Sequence, residues 1–201
     1  MKNPVRTLKT IGVAGAQSRI GTTTQALQIL CYLQMMGNRV CYVEMDHYGH
    51  HFVRDLQNAY EDVKVEGNCT HYQNMEFYEM AAIKELIKND YNFIIKDFGA
   101  ADDPAFNQPS FLESDIRVFV CGAKPDELPK AYDVIANPLY DDARYIFSFV
   151  TKDDQEELKR MMADSSDRTF FAEYSPDPFV YSGLNNSTYA AVASWNREGK
   201  Q

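Results

Sequence analysis

Short apolar runs alternate with helical patterns along nearly the whole of this chain, and that alternation admits few folds. It is the mark of βαβ units, in which each strand is covered by the helix that follows and the sheet is mostly parallel. The run Ile11–Ala14 reads as a buried strand that breaks into a loop at Gly15-Ala16-Gln17-Ser18-Arg19-Ile20-Gly21, and Thr22 then opens a helix. Along that helix Ala26, Ile29, Leu30, Leu33 and Met36 fall on one face, and Gly37 suits its C-terminal cap. Further strands are expected at Val40–Val43, Phe93–Ile95, Val118–Cys121, Tyr145–Val150 and Thr169–Ala172. Helices are expected from Tyr78 to Lys88, after Pro125-Asp126-Glu127, over Asp153–Met162 and over Thr188–Trp195. Residues 47–75 read as a polar loop with a short strand at Val63–Val65. With 201 residues, 45% of them apolar, the chain is long enough for one well-buried domain spanning 1–201 and too short for two.

Bulk charge narrows the partners. Acidic residues outnumber basic ones 29 to 20, and the resulting net charge of −9 repels phosphate backbones and anionic lipid. The reading is therefore no nucleic acid and no membrane, with another protein as partner. No apolar h-region follows the basic N-terminus, no run approaches a membrane span, and Cys31, Cys41, Cys69 and Cys121 form no C-x-x-C pair. A cytoplasmic, thiol-reduced chain is expected. The segment Ser187–Gln201 lacks the basic amphipathic face that would hold a helix on a membrane.

The segment 15–23 carries the chemistry. A strand, a glycine-bearing loop and a helix opening Thr-Thr-Thr make a phosphate cradle by position, because loop and helix N–H groups converge on one anion. Against the pattern G-x-x-x-x-G-K-[ST], Ala16 takes the first glycine, Gly21 the second, Thr22 the lysine, and Thr23 the magnesium ligand. Strands further on end in Glu44-Met45-Asp46 and at Asp97, so carboxylates gather at the edge of the sheet where ligands of parallel folds bind. His47, His50, His51, Cys69 and His71 match no closed zinc signature and read as part of a polar loop. Lys96, inside an otherwise buried run, reads as a snorkelling side chain or the mark of an edge or interface. The methionines Met35 and Met36, with the Tyr and Phe residues at regular spacing, read as core.

The order of these segments resembles the ParA/MinD branch of P-loop NTPases. The segments Gln17–Thr24, Glu44–Tyr48 and Tyr91–Asp97 stand where that family has its phosphate loop, its D-x-D-P-Q strand end and its Y-D-[FY]-I-I-[IV]-D strand; Arg117–Leu128 and the proline segment Ser175–Phe179 follow in step. The resemblance implies a three-layer α/β P-loop domain and ATP or ADP with magnesium as cofactor. Residues 15–23 would cradle the phosphates, and Pro176 and Asp177 would border the adenine. Thr23, Asp46 and Asp97 would surround the magnesium, with Asp46 also near the attacking water. A homodimer follows by the same resemblance. The departures are as informative. Both lysines of the family's loop are missing, replaced by Gln17 and Thr22, and Arg19 stands where the family has a glycine. Positioned positive charge is most of what catalyses phosphoryl transfer. The reading that follows is a regulatory or protein-interaction member, a degenerate ATPase with weak or absent nucleotide binding. The alternative is a working ATPase of partitioning or subcellular positioning that uses Arg19 in a variant loop. A small-molecule enzyme of the wider P-loop class has the least support.

Overall fold

The structure, a computed structural model, describes residues 8–45 and 51–194. Asp46, His47, His50 and Trp195 lie outside the described residues. The strands are β1 (Lys9–Gly15), β2 (Val40–Glu44), β3 (Lys64–Glu66), β4 (Cys69–Tyr72), β5 (Met75–Glu79), β6 (Phe93–Ala100), β7 (Ile116–Cys121), β8 (Arg144–Ser148) and β9 (Thr169–Ala172). The helices are α1 (Thr22–Met35), α2 (Phe52–Ala59), α3 (Ile83–Leu86), α4 (Gln108–Leu112), α5 (Leu128–Ile135), α6 (Lys152–Met161) and α7 (Asn186–Ala193). All nine strands join one sheet in the order β3-β4-β5-β2-β6-β1-β7-β8-β9. It is parallel from β5 to β9, and β3 and β4 add an antiparallel edge. The expected strands Ile11–Ala14 and Phe93–Ile95 pair directly, Ile11 opposite Ile95.

The three layers follow from period-two alternation in strands that are buried on both faces. Val13, Tyr42, Ile95, Val118 and Ile146 point to one side and pack with α1, α2 and α7. Ala14, Val43, Ile94, Phe119 and Phe147 point to the other, where Phe111, Ala131, Val134 and Leu158 bring α4, α5 and α6. Helix α1 is buried around most of its circumference, and Gln28 near its middle is fully buried. The Gln28 Nε2 donates to the carbonyls of Pro178 and Val180, both at 3.0 Å, tying the segment after β9 across the helix. Phe179, on that segment, packs its ring among Phe52, Tyr60, Tyr72 and Phe77.

Several expectations are corrected. The segment 47–75 is no polar loop where it is described: it holds α2 and the β3–β4 hairpin, and β5 begins at Met75. The helix expected from Tyr78 is mostly strand and 3₁₀ turn, with only α3 helical, because β5 continues through Glu79 to pair with β2. Met35 and Met36 are 52% and 60% exposed, since α1 ends there in a glycine cap at Gly37 and leaves the sheet behind. Lys96 lies in β6, between β1 and β2, far from any sheet edge. The residue is buried, which lowers its pKa, and the carboxylates of Glu113 and Asp115 act against that shift.

Candidate functional site

The carboxyl ends of β1, β2 and β6 meet around the loop that follows β1. Gly15 pairs with Ala100, and Glu44 with Asp97, so the loop, both acids and the start of α1 face one cleft of about 290 Å³. Ser18, Arg19, Gly21, Thr22, Thr23 and Thr24 line one wall; Tyr42, Glu44, His51, Phe52, Asp55 and Asp97 line the other. The loop is anchored at both ends: Ala16 N–H donates to the Val120 carbonyl at 2.8 Å, and Ala16 and Ile20 are buried. Gly15 cannot carry a side chain, since a Cβ there would meet the Gln17 carbonyl oxygen at 2.7 Å and crowd Thr22 Oγ1. Arg19 and Gly21 take left-handed backbone conformations with φ of 62° and 92°, the second at little cost.

The arrangement fits an anion in one respect. Among the described residues, no acceptor is bonded to the N–H groups from Gln17 to Thr24, and α1 begins at Thr22 with its first-turn donors unused. A phosphate group would find backbone donors there. In charge the cleft fits a nucleotide poorly. Glu44, Asp55 and Asp97 face it, Arg19 is the single Lys or Arg on its described wall, and Thr22 contributes a short neutral hydroxyl.

The two described magnesium candidates, Thr23 and Asp97, are brought together and bonded directly. Thr23 Oγ1 donates to Asp97 Oδ2 at 2.7 Å, Tyr42 Oη donates to the same oxygen at 2.8 Å, and Gly99 N–H donates to Oδ1 at 3.0 Å. Tyr42 reaches Asp97 because it stands opposite Ile95 on the adjacent parallel strand, and Asp97 follows two residues on along the same face. Burial and the Asp97 carboxylate hold the Tyr42 hydroxyl protonated, which keeps it a donor. Tyr42 reads as core in the sequence. Strand adjacency, which no local pattern shows, sets it opposite Ile95 and brings its hydroxyl to the cleft.

Glu44, a strand-end acid in the sequence, caps a helix. Its two carboxylate oxygens accept the N–H groups of Phe52 and Val53, at 2.6 and 3.2 Å, and so cap the N-terminus of α2. Burial nonetheless pushes its pKa up to about 7, against the opposing pull of these two bonds. The folded protein therefore keeps a proton that the unfolded chain has already released, and stability falls as pH rises from about 4.5 to about 7. The urea midpoint of the wild type is expected to drop between pH 5 and pH 7.5 by more than that of Glu44→Gln, which has no charge to lose. An identical drop in both proteins would contradict this assignment.

Pro176 and Asp177 do not line the cleft. Both are exposed on the segment tied across α1, where Asp177 accepts the Phe179 N–H at 2.9 Å. Asp46, the catalytic candidate, lies outside the described residues.

No family model matches this sequence, and no curated protein is similar to it. Solved structures are similar in fold. A putative plasmid partition protein of Borrelia burgdorferi B31 bound to AMPPNP superposes with a TM-score of 0.61 at 12% identity, over 92% of this chain and 95% of that one. The MinC:MinD cell division complex of Aquifex aeolicus gives 0.58 at 12% identity, over 84% of this chain and 82% of that chain. The pNOB8 ParA bound to nonspecific DNA gives 0.55 at 11% identity, over 92% and 94%. The protein is thus a three-layer α/β chain with the fold of the ParA/MinD P-loop ATPases. At such identities the likeness is one of fold, and the site's chemistry has to be judged on the residues present.

Proposed function

We propose that this protein is a regulatory or protein-interaction member of the ParA/MinD-type group whose phosphate loop has lost its ATPase machinery. The observation that supports this best is the bonding of Asp97 to the groups beside it. Thr23 and Tyr42 both donate to one of its oxygens, so the groups that would face magnesium satisfy one another. Where the fold would hold Mg-ATP, the backbone from Gln17 to Thr24 would meet the phosphates, Thr23 and Asp97 would stand at the metal, and Arg19 would be the cation nearest to both. Magnesium, when bound, would offset phosphate charge. This chain's own contribution of charge there is small and mostly of the wrong sign.

Action through a protein partner, alone or as a homodimer, fits this reading. One structural neighbour is a complex with MinC and another is bound to nonspecific DNA, so both kinds of partner occur on the fold. For this chain the net charge of −9 argues against DNA. On α6, Lys152, Lys159 and Arg160 are interleaved with Asp153, Asp154, Glu156 and Glu157, which makes a mixed-charge face rather than a basic one. None of the described helices is long and apolar enough to cross a membrane. Labelled random duplex DNA at physiological salt is expected to stay free in fluorescence anisotropy, and anionic vesicles to sediment without the protein. Micromolar, steeply salt-dependent DNA binding or co-sedimentation would contradict the reading.

A further inference from the structure

The hairpin edge of the sheet holds a second constellation, remote from the nucleotide cleft and independent of it. Cys69 and His71 alternate to the same face of β4, and Glu76 on β5 stands directly opposite His71 in the antiparallel register. One ligand atom from each of the three lies within 4.8 Å of the others. We propose that Cys69, His71 and Glu76 form a binding site for a zinc-class divalent ion. Thiolate, imidazole and carboxylate are the donors such an ion takes in tetrahedral sites. Bond lengths of about 2.3 Å to sulfur and about 2.0–2.1 Å to nitrogen or oxygen require the ligands to close to roughly 3.3–3.6 Å. Side-chain rotation of His71 and Glu76, on a backbone held by strand pairing, supplies that closure, and Glu76 keeps its second carboxylate oxygen for the ion. Three protein ligands leave the fourth position to water or to Glu66, whose carboxylate lies 3.9 Å from His71 Nε2 and whose strand pairs it with Cys69.

The surroundings are arranged around these ligands. Tyr91 Oη donates to Glu76 Oε2 at 2.6 Å, fixing the carboxylate, and the hydroxyls of Tyr91 and Tyr78 are 2.9 Å apart. Outer hydrogen bonds of this kind orient ligands and tune affinity. Burial and the charges of Glu76 and Glu66 raise the Cys69 pKa, so the thiol is neutral until a cation arrives. Binding would release its proton to solvent, which makes affinity rise with pH. An ion here would lock β3, β4 and β5 together at a sheet edge that otherwise rests on short strands.

Cobalt(II), added to the full-length protein after chelator treatment, is the probe. A thiolate-to-cobalt charge-transfer band is expected in the wild type, reversed by zinc. The band should vanish in Cys69→Ser, and affinity should fall at least about tenfold in His71→Ala and about 10–100-fold in Tyr91→Phe. Circular dichroism of the metal-free variants checks that they fold, and half-exposed His71 provides a second test should Cys69→Ser not fold. Lack of a thiolate band in the wild type, or its survival in Cys69→Ser or unchanged affinity in His71→Ala, would overturn the proposal.

Discussion

Steady-state ATP hydrolysis by the purified protein is expected to run at least about 10²–10³-fold below that of a lysine-bearing ParA or MinD assayed beside it, because that is the usual cost of one missing transition-state donor. Two are missing here. Thr22 and Gln17 bring no charge to the developing phosphoryl anion, and Arg19 is exposed at the rim of the cleft in a left-handed turn. Asp55 on the same cleft adds negative charge that no lysine offsets. The double variant Gln17→Lys/Thr22→Lys should not lower whatever activity exists. It should also fall short of full activity, because Thr22 is buried against Gly15 and the acids remain. Vigorous magnesium-dependent turnover by the wild type would show that Arg19 and the backbone suffice.

Asp97→Ala is expected to destabilise the fold by about 2–3 kcal/mol, read as a fall in the urea midpoint with an unchanged slope, since hydrogen bonds to a charged partner are worth about 1.5–3 kcal/mol and the bereft donors stay buried. The Tyr42 side chain is 1% exposed, and its hydroxyl donates to Asp97. Thr23 at the start of α1 would lose its acceptor as well. Tyr42→Phe removes one donor and leaves Thr23 and Gly99 bonded to Asp97, so about 1 kcal/mol is the expected loss. The sign is what discriminates. A carboxylate retained for a metal, crowded by Glu44, would be strained, and its removal would leave stability unchanged or higher. A clear loss marks Asp97 as a hub that holds β2, β6 and α1 together.

The central sheet was legible because both of its faces are buried. Runs such as Ile11–Ala14 and Phe93–Ile95 are nearly pure apolar, and they lie in one sheet as expected. Of the hairpin edge only β3 was legible, one residue off the expected Val63–Val65. Cys69–Tyr72 mixes polar and apolar residues, so its period-two signal drowns in a segment rich in His, Asn and Tyr. Helix α2 hid there too, because its N-terminus is capped from Glu44, eight residues away from Phe52, and not by a neighbour in sequence. At the site, the Thr23–Asp97 juxtaposition was what the resemblance implied. The Tyr42 hydroxyl did not, because an aromatic in a buried strand reads as core whatever its tip touches. Glu44 shows the same limit: a strand-end acid was legible, and its use as a helix cap depends on where the chain returns.

Calorimetric titration of the purified protein with ATP in the presence of magnesium tests most directly whether the loop has left the nucleotide cycle. Each lost charged contact is worth about 1.5–3 kcal/mol, and about 1.4 kcal/mol is tenfold in affinity. Binding about 10²-fold or more weaker than that of a lysine-bearing relative measured alongside, or no detectable heat, is the expected result. Magnesium-dependent binding as tight as the relative's, lost in Thr23→Ala, would contradict it.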